Sequence, residues 1–403
     1  MLNLALRNIF RHKLRTAITL AAVVFGVTAL IVSAGFVRDV LFQLSEATIH
    51  SQSGHLQVHR KGYYEQGARA PDKYLIDRPE PLKRGIDRVE GVTDVLARLG
   101  FSGLLSNGRS DLPVVGEGVE ADKEARLGSY VKITAGRQLT NRDAFGILLG
   151  EGLATGLKLR PGDRVSLLLN TAAGAVNTLD FEVIGVFQTF SKEFDARAVR
   201  IPLAAAQELL GTAGVNSLVV SLARTDDTER AARDIASLLD AERYELKTWR
   251  EINDFYQKAV DLYERQFGVL RLIVLLMVLL MVANTVNMTV FERVGEFGTL
   301  MAMGNRSSHV FGLVALENGL IGLMGASLGI AVGVCAAWAI TAAGIAMPPL
   351  PNANVGYTMS IRLTPDAAAT AFAVGFAATV LASLWPAARV SRKSIVESLR
   401  QNV

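Results

Sequence analysis

Apolar and polar positions along this chain fall in long blocks, and four of the apolar blocks contain no charged residue. These uncharged blocks are residues 16–37, 272–291, 318–361 and 367–388. Each block reaches the roughly 20 residues that an α-helix needs to cross a bilayer core of about 30 Å. The third block is much longer, and the proline-rich run 347–351 predicts the end of its helix. We therefore predict four membrane-spanning helices, at about 16–38, 268–291, 310–344 and 367–388.

The helical spacing of apolar residues continues beyond the first span and begins before the second. The residues that continue the first pattern past Arg38 are Val40, Leu41 and Leu44. Before the second span, apolar side chains recur at helical spacing among the charged residues of 252–267. About 10–15 extra residues at 1.5 Å each predict two helical stalks of roughly 15–20 Å. The first span with its stalk is expected at 16–49, and the second at 251–291.

Residues 50–250 lie between the two stalks and contain no predicted span. Period-two alternation predicts strands in this segment and 3.6-residue periodicity predicts helices, so a mixed α/β domain is expected. The predicted strands are 54–59, 147–150, 164–169, 179–187 and 218–222, and the predicted helices are 202–210 and 228–240. The single cysteine, Cys335, falls in the third span, so this domain must be stabilised by its own core.

Basic residues near the ends of the spans predict the orientation of the chain. They are concentrated in the two tails, at Arg7, Arg11, Lys13 and Arg15 and at Arg389, Arg392, Lys393 and Arg400. By the positive-inside rule both tails are cytoplasmic, which places residues 50–250 on the outer side. The net charge of +4 follows from this bias, and no interleaving of basic and aromatic residues predicts nucleic-acid binding. Residues 1–15 are basic and amphipathic, as in an elbow helix on the cytoplasmic surface, and residues 389–403 form a cytoplasmic tail.

A charged, glycine-containing segment at 292–309 connects the second and third spans on the cytoplasmic side. Its apolar residues share one helical face, and its charged residues lie on the other. The apolar residues are Phe297, Leu300 and Met301, and the charged residues are Glu292, Arg293 and Glu296. Gly304 and Asn305 then supply a helix stop. This pattern fits two roles equally well, a docking surface for a soluble partner or a helix lying on the lipid headgroups.

The sequence lacks the motifs of several enzyme classes. It has no phosphate-binding G-x-x-x-x-G-K-[ST] loop, no G-x-S-x-G nucleophile elbow and no H-E-x-x-H zinc motif. We therefore expect neither an enzymatic activity nor a cofactor in this chain. His50, His55 and His59 are close in sequence, but no carboxylate or cysteine is spaced to complete a metal site with them. A solvated strand face is the favoured interpretation of these histidines.

Three features inside the spans have both a structural and a functional interpretation. Glu317 lies near the start of the third span, where pairing with a cytoplasmic arginine is favoured over a role as proton relay. Asn284 and Asn287 are interpreted as partners in interhelical hydrogen bonds rather than as substrate ligands. A glycine stripe in the third span permits close packing, either within one subunit or, as the alternative, between subunits. The stripe consists of Gly319, Gly322, Gly325, Gly329 and Gly333.

Several segments carry the motifs of one known family. They are 6–16, 149–154, 159–165, 181–187, 292–304, 316–329 and 385–400. Together they resemble the FtsX-like and MacB-like permeases of ABC transporters, and the chain is closest in type to the lipoprotein-releasing LolC and LolE subunits. The resemblance implies an α-helical membrane protein with four transmembrane helices and a mixed α/β extracytoplasmic domain, the MacB-like core, on helical stalks. Residues 310–388 then form the FtsX-like permease domain.

The resemblance also implies a role for the segment 292–309. It corresponds to the family's coupling helix, whose apolar residues insert into a groove of the ATPase while Arg293 and Glu296 contact the rim. The residues implied in coupling are Arg293, Glu296, Phe297, Gly298, Leu300, Met301, Met303 and Gly304. The family further implies a homo- or heterodimer of permease subunits with a dimer of separate ATPase subunits, which bind ATP and magnesium.

The function implied by the resemblance is that of a permease subunit in the bacterial inner membrane, with its large domain in the periplasm. ATP hydrolysis in the partner would drive the extraction or export of a lipidated or amphipathic cargo, by the mechanism called mechanotransmission. A periplasmic acceptor or adaptor could take part. The alternative is an FtsX-like regulatory subunit that moves no cargo and activates a periplasmic enzyme or partner.

Overall fold

The computed structural model describes residues 7, 8, 11, 13–67, 71–171, 174–349, 354 and 356–391. The chain divides into two compact units, which we name the membrane unit and the outer unit. The membrane unit contains Met1–Leu41, Ala259–Ala346 and Thr358–Val403, and the outer unit contains Phe42–Lys258 and Met347–Tyr357. The predicted elbow helix and cytoplasmic tail lie mostly outside the described residues.

Long helices form the membrane unit, whereas short helices and strands form the outer unit. The α-helices are α1 (Lys13–Thr48), α2 (Pro79–Ile86), α3 (Ala121–Leu127), α4 (Glu151–Leu157), α5 (Lys192–Asp195), α6 (Leu203–Leu210), α7 (Thr228–Leu238), α8 (Trp249–Ile252), α9 (Asp254–Glu292), α10 (Val294–Ala302), α11 (Ser307–Ala343) and α12 (Pro365–Ser391). The strands are β1 (Leu56–Arg60), β2 (Val92–Ser106), β3 (Asp111–Val119), β4 (Lys132–Gly136), β5 (Gly146–Gly150), β6 (Arg164–Asn170), β7 (Val176–Gln188), β8 (Ala198–Pro202), β9 (Ser217–Leu222), β10 (Tyr244–Thr248), β11 (Ala346–Met347) and β12 (Tyr357–Thr358). Two π-helical turns, Ile49–Ser53 and Tyr63–Gly67, follow α1 and β1.

Among the described residues, four helices are long and apolar enough to cross a membrane, namely α1, α9, α11 and α12. Helices α1 and α9 contain 36 and 39 residues. At 1.5 Å per residue they are about 54 and 59 Å long, while the bilayer core is only about 30 Å thick. Both helices are therefore long enough to include a span and a stalk.

Glycines of α11 allow two other helices of the membrane unit to approach closely. A Cβ atom at any of four of these glycines would lie about 3 Å from a side-chain atom of the facing residue. The facing pairs are Gly322–Thr379, Gly325–Val23, Gly329–Val27 and Gly333–Ile31, with distances of 3.0, 2.9, 2.7 and 3.1 Å. Gly319 has no such neighbour within 4 Å. These four contacts support packing within one chain, because a larger residue at any of them would push α11 away from α1 or α12.

The third span ends at a glycine rather than at the prolines. Helix α11 ends at Ala343, and Gly344 follows with a φ of +59° in the left-handed region. Residues with a Cβ atom rarely adopt this conformation, so glycine at this position stops the helix. The predicted boundary at 344 is close to the observed one, but the predicted cause, the proline run 347–351, is wrong.

One mixed sheet organises the outer unit. Its strand order in the described chain is β10-β1-β9-β2-β3-β8-β5-β7-β4, and β6 pairs with β2 and β7. The pairs β3–β8 and β5–β7 are parallel, and the other pairs are antiparallel. Every residue of β5 and β9 is buried, as expected for central strands covered on both faces. This sheet and the four long helices confirm the predicted fold class.

The observed elements of the outer unit include all those expected from periodicity. The five predicted strands correspond to β1, β5, β6, β7 and β9, and the two predicted helices correspond to α6 and α7. The long strands β2 and β3 were not predicted, because charged and backbone-breaking residues interrupt their alternation. Arg98 and Gly103 do so in β2, and Pro113 and Gly116 do so in β3.

Buried charged side chains hold the π-helical turn that follows α1. Arg98 binds the carboxylate of Glu124 through two nitrogens, with Nη2 2.6 Å from Oε1 and Nε 3.0 Å from Oε2. Arg98 also donates to the carbonyl oxygen of Gln52, and Arg200 donates to that of Ser51 at 2.8 Å. The end of this turn is therefore hydrogen-bonded to strands β2 and β8.

The charges in this cluster balance one another. Burial alone would raise the pKa of the Glu124 carboxyl, but the nearby Arg98 and Arg200 outweigh burial and hold this pKa below its ordinary value. Glu117 completes the cluster, with Oε2 3.3 Å from Nε of Arg200. Because the opposite charges are paired, two arginines and a carboxylate remain ionised in the interior of the outer unit.

The histidines near the start of the outer unit are buried, so the predicted solvated strand face is wrong. His55 is 1% exposed and His59 is 2% exposed. Tyr63, in the second π-helical turn, stacks on His59 with ring centres 4.3 Å apart and covers this face of β1. Nδ1 of His55 accepts from the N–H of Leu222 at 3.1 Å, so Nε2 carries the proton and faces the hydroxyl of Thr225 at 3.2 Å. In the described chain, no group of three His, Cys, Asp or Glu residues could hold a metal ion.

The burial of His55 predicts that stability falls in acid. Burial, with a smaller effect of the nearby His50, lowers the pKa of His55 from 6.5 to about 4. The stability contributed by the neutral imidazole is complete above the unfolded pKa and is lost as pH falls through the folded one. We expect His55 to lower the free energy of unfolding of the detergent-solubilised protein by up to about 1.4 kcal/mol per pH unit between about pH 6.5 and pH 5, and the thermal unfolding midpoint to fall with it. His59, whose pKa burial also lowers from 6.5 to about 4, adds to the fall.

A substitution separates this effect from general acid denaturation. His55→Asn removes the titrating group and keeps an oxygen able to accept from Leu222, so the fall in midpoint should be smaller. His309→Asn changes an exposed histidine of α11 and should show the full fall. An unchanged fall in His55→Asn would contradict the assignment.

Candidate functional site: helix α10 and its ion pair

Helix α10 begins and ends at distinct features of the backbone. Arg293 lies between α9 and α10 with a φ of −101° and a ψ of 10°, which interrupts the helix after Glu292. At the other end Gly304 adopts a φ of +95°, and the N–H of Asn305 donates to the carbonyl of Leu300 at 3.1 Å. The left-handed glycine allows this bond to the last turn, so the glycine stop expected from the sequence is present.

One face of α10 packs into the membrane unit. Val294, Phe297 and Met301 are 2, 1 and 8% exposed and belong to the same apolar cluster as Val314 of α11. Leu300 is half-buried against this cluster. Full burial of one such side chain contributes about 1.5–3 kcal/mol. The expectation that Phe297 and Met301 insert into a groove of a partner is therefore wrong, because these side chains already fill the core of the helical bundle.

The opposite face of α10, continued from the last turn of α9, is exposed. We name it the outer stripe, and it consists of Glu292, Glu296, Thr299 and Met303. These positions recur at helical spacing, and Met303 is 69% exposed. Gly304 is exposed beside the stripe, whereas Gly298 is buried. A partner that approached α10 would therefore contact two carboxylates, a threonine and a methionine.

A buried ion pair connects the start of α10 with α11. Nη1 of Arg293 lies 2.8 Å from Oε2 of Glu317, and Nη2 lies 3.4 Å from Oε1. Nε of Arg293 lies 3.0 Å from Oε2 of Glu296, and Nδ2 of Asn8 donates to Glu317 Oε1 at 2.6 Å. Arg293 is 6% exposed and Glu317 is 7% exposed. Because both side chains are largely removed from bulk solvent, each charge is stabilised by the other.

The position of Arg293 contradicts its expected rim contact and agrees with the expected pairing of Glu317 with an arginine. A rim contact with an ATPase is wrong for Arg293, because its guanidinium points inward and lies 5.0 Å from the ring centre of Phe297. Glu296 does remain on the surface, where Arg11 lies 3.2 Å from its Oε1. Glu317 has the arginine partner that the structural interpretation required, and the geometry gives no support to a proton relay. In the sequence, this ion pair is indicated by a carboxylate within an apolar helix and by Arg293 at the end of the neighbouring span.

A small polar cavity lies beside the ion pair. Its volume is about 50 Å³, and its lining includes Thr16, Thr19 and Asn318. This volume suits a few water molecules rather than a substrate. The asparagines Asn284 and Asn287 are exposed and half-buried, and in the part of the chain that the structure describes neither side chain is bonded to another helix. The predicted interhelical hydrogen bonds are therefore not observed there.

Similar proteins extend over nearly the whole chain. This chain is 21% identical over 410 residues to the uncharacterized ABC transporter permease MJ1507 of Methanocaldococcus jannaschii. The match covers 99% of this chain and 97% of the relative. It is 22% identical over 340 residues to the uncharacterized ABC transporter permease YknZ of Bacillus subtilis, at 82% and 84% coverage. The macrolide export ATP-binding/permease protein MacB of Sodalis glossinidius is 24% identical over 414 residues, but the match spans 99% of this chain and only 60% of that protein.

Two solved structures resemble about half of the chain. The extracellular domain of the noncanonic ABC-type transporter YknZ from Gram-positive bacteria gives a TM-score of 0.36 at 18% identity, over 48% of this chain and 99% of that one. The periplasmic region of MacB from Actinobacillus actinomycetemcomitans gives a TM-score of 0.37 at 16% identity, over 51% and 93%. These scores are low, and the classification rests on the family matches.

Removing one partner of the buried ion pair should destabilise the protein. Arg293→Met leaves the buried Glu317 without a cation, which costs about 3–5 kcal/mol. We expect a lower thermal unfolding midpoint in detergent for this variant. Adding Glu317→Leu should restore most of the loss, because no charge then remains unpaired. Arg306→Met, at an exposed arginine before α11, is the control and should leave the midpoint unchanged. Wild-type stability of Arg293→Met alone would show that the pair does not anchor α10.

Two family descriptions match consecutive parts of the chain. The MacB-like periplasmic core domain matches residues 16–238, and the FtsX-like permease C-terminal domain matches residues 268–395. This combination implies a transmembrane subunit of permease type with a large extracellular domain, a partner ATPase and a dimeric arrangement. The chain belongs to the family of FtsX-like and MacB-like ABC transporter permeases.

Proposed function

We propose that this chain is the permease subunit of an ABC transporter whose separate ATPase subunits bind ATP and magnesium. ATP hydrolysis in the partner drives the extraction or export of a lipidated or amphipathic cargo from the bacterial inner membrane. The permease acts by mechanotransmission, in which a movement at the cytoplasmic helix is passed along the stalks to the domain on the periplasmic side.

The observation that carries this proposal is the construction of α10. Its inner face, with Phe297 and Met301, is packed into the bundle, and Arg293 is ion-paired with Glu317 of α11. A force on the outer stripe is therefore resisted by the whole bundle rather than absorbed by a loose loop. This arrangement suits a surface that receives force from a partner, and it favours the docking role over that of a helix lying on the lipid headgroups.

The stalks supply the second support. Helix α1 is unbroken from Lys13 to Thr48, and α9 is unbroken from Asp254 to Glu292. The turn after α1 is held by Arg98 and Arg200 in the outer unit. A continuous helix whose end is fixed by several hydrogen bonds transmits a displacement to that end with little loss.

The exposed apolar surface of α9 supports the proposal that the cargo is apolar or lipidated. In the most apolar 18-residue stretch of α9, only 17% of the residues are buried, compared with 33–39% in the corresponding stretches of the other three spans. The exposed side chains include Leu272, Leu276 and Leu280. Such a surface accommodates lipid, acyl chains or a second permease subunit. One relative, the MacB protein of Sodalis glossinidius, is named for macrolide export, which supports outward transport.

A substitution on the outer stripe tests the docking surface. Met303→Asp places a charge on a 69% exposed side chain, so folding should be unaffected while the contact with the ATPase is weakened. We expect at least about tenfold less ATPase to copurify with the variant, a loss of about 1.4 kcal/mol or more. Val176→Asp, at a residue of β7 that is 65% exposed, is the matched control. Undiminished copurification with Met303→Asp would place the docking site elsewhere.

A reconstituted system tests transport. Vesicles that contain the permease and its ATPase should release a fluorescent triacylated protein when ATP is added. The control is the same protein without acyl chains, held on the vesicles by a lipid that binds its His-tag, and it should not be released. Met303→Asp should abolish the release. ATP hydrolysis that proceeds without any release of lipidated protein would favour the alternative, a regulatory subunit that activates a periplasmic enzyme or partner.

A further inference from the structure

A short non-helical segment of the membrane unit lies against α1 where the uncharged part of this helix ends. The segment consists of residues 359–364, between β12 and α12, and we name it the strap. The uncharged part of α1 ends at Arg38. The N–H of Arg362 in the strap donates to the carbonyl of Gly35 in α1 at 3.1 Å. The strap therefore contacts α1 at the junction of its span and its stalk.

The buried carboxylate of Asp39 binds the strap. Asp39 is 1% exposed. Its carboxylate accepts from the hydroxyl of Ser360 at 2.5 Å and from the N–H of Ser360 at 3.1 Å, and Nε of Arg362 lies 3.3 Å from its Oδ1. A buried carboxylate without such partners is strongly unfavourable. The charge of Asp39 therefore keeps the strap on α1.

Gly35 allows the strap to approach the backbone of α1 closely. A Cβ atom at this position would lie 2.5 Å from Cγ2 of Ile361 and 3.1 Å from the carbonyl oxygen of Arg362. Ile361 is 7% exposed, so it has little room to move away. A larger residue in place of Gly35 would push the strap off the helix.

The strap is also bound to α11. The N–H of Ile361 donates to Oγ1 of Thr341, near the end of α11, at 3.0 Å. Beside it, Nη1 of Arg38 lies 2.9 Å from Oδ1 of Asp366 in the first turn of α12. Three helices are thus joined at one level. We name the contacts of the strap with α1 and α11 the clasp.

Helix α1 passes into the outer unit just beyond the clasp. Leu41 is its last residue in the membrane unit, and Phe42 is its first residue in the outer unit. The part of α1 that follows Asp39 is residues 40–48, which extend about 14 Å at 1.5 Å per residue. A rigid segment passes a displacement to its far end only if its base is held. Lipid alone holds a helix weakly, because a helix tilts in a bilayer at a small free-energy cost.

We propose that the clasp is the fulcrum of the α1 stalk. It stays closed during the ATP cycle and fixes the base of the stalk to α11 and α12. A movement that begins at α10 reaches these two helices within the bundle, and the clasp passes it to the stalk. Asp39 is then a positioning residue that need not touch the cargo. The inference deepens the proposed function and rests on it, because a fulcrum matters only if the stalk moves.

Removing the buried carboxylate tests the clasp in vesicles that contain the permease, its ATPase and the fluorescent triacylated protein. Asp39→Ala opens the clasp, because Ser360 and Arg362 lose their acceptor. We expect the amount of protein released per ATP hydrolysed to fall at least tenfold. Asp261→Ala removes an exposed carboxylate of α9 instead and should release protein as the wild type does.

A disulfide at a neighbouring position should replace the lost carboxylate. In a Cys335→Ser background, Gly35→Cys with Ile361→Cys joins the strap to α1. The contact of Gly35 with Cγ2 of Ile361 places the two Cβ atoms about 4 Å apart, which a disulfide can bridge. Its formation in Asp39→Ala should restore release per ATP to within about twofold of the wild-type value. Reduction of the disulfide should abolish the release again.

A second disulfide separates a fulcrum from a general gain in stability. Ile31→Cys with Gly333→Cys joins α1 to α11 one turn before the clasp, where a Cβ atom at Gly333 would lie 3.3 Å from Cβ of Ile31. It should raise the thermal unfolding midpoint of Asp39→Ala but should not restore release. Equal restoration by both disulfides would overturn the proposal. So would loss of release when the pair Gly35→Cys and Ile361→Cys is oxidised in an otherwise wild-type chain, because the clasp would then have to open.

A measurement without cargo distinguishes failure of the fulcrum from failure of the proposed function. Spin labels on Trp338→Cys in α11 and Val176→Cys in β7, at two exposed positions, report the distance between the units. We expect ATP with vanadate to change this distance in the wild-type complex but not in Asp39→Ala. This result without any release of lipidated protein would contradict the proposed cargo and support the fulcrum. Wild-type release per ATP in Asp39→Ala, or a wild-type change in distance, would overturn the fulcrum.

Discussion

The buried pair of Arg293 and Glu317 determines how the membrane unit is built around α10. A carboxylate among apolar helices stays charged only if a cation reaches it, and the penalty for an unpaired charge exceeds most single packing gains. Arg293 therefore turns inward at the backbone break that separates α9 from α10. Phe297, one helical turn later, follows onto the same inner side. The outer stripe remains exposed, so an electrostatic requirement inside the bundle selects which face of α10 is exposed.

Buried charges also require partners in the outer unit, where they fix the end of a stalk. The last carbonyl groups of a helical segment have no partners of their own, and cations are favoured at that end of the helix dipole. Arg98 and Arg200 bind the carbonyls of Gln52 and Ser51, and their charges are balanced by Glu124 and its neighbours. The stalk thus ends in a turn that is fixed on several sides. Rigidity at this point is a physical requirement for any helix that passes a displacement to a domain.

Periodicity in the sequence predicts where the spans lie and which residues share a helix face. It does not predict whether that face points into the protein or towards a partner. Phe297, Leu300 and Met301 were recognised as one face, yet an apolar face of a short helix between two spans can meet either a partner or its own bundle. The structure shows burial in the bundle for Phe297 and Met301. Strands β2 and β3 escaped prediction because Arg98 and Gly116 break the alternation. What makes them strands is pairing with distant segments, which no local pattern contains.

The weak burial of α9 within its own unit bears on the lipidated cargo proposed above, and on where work on such a cargo is done. Acyl chains and apolar helices are similarly apolar, so replacing lipid along α9 with an acyl chain changes the free energy little. Withdrawing that chain from the bilayer costs about 0.8 kcal/mol per methylene, or about 12 kcal/mol for a chain of about 15 methylenes. Under the proposed function, uptake of a lipidated cargo from the membrane therefore proceeds by exchange, while its release from the membrane requires ATP. In the proposed mechanism the energy of ATP hydrolysis is delivered along the stalks of α1 and α9, and α1 ends in the turn that Arg98 and Arg200 hold.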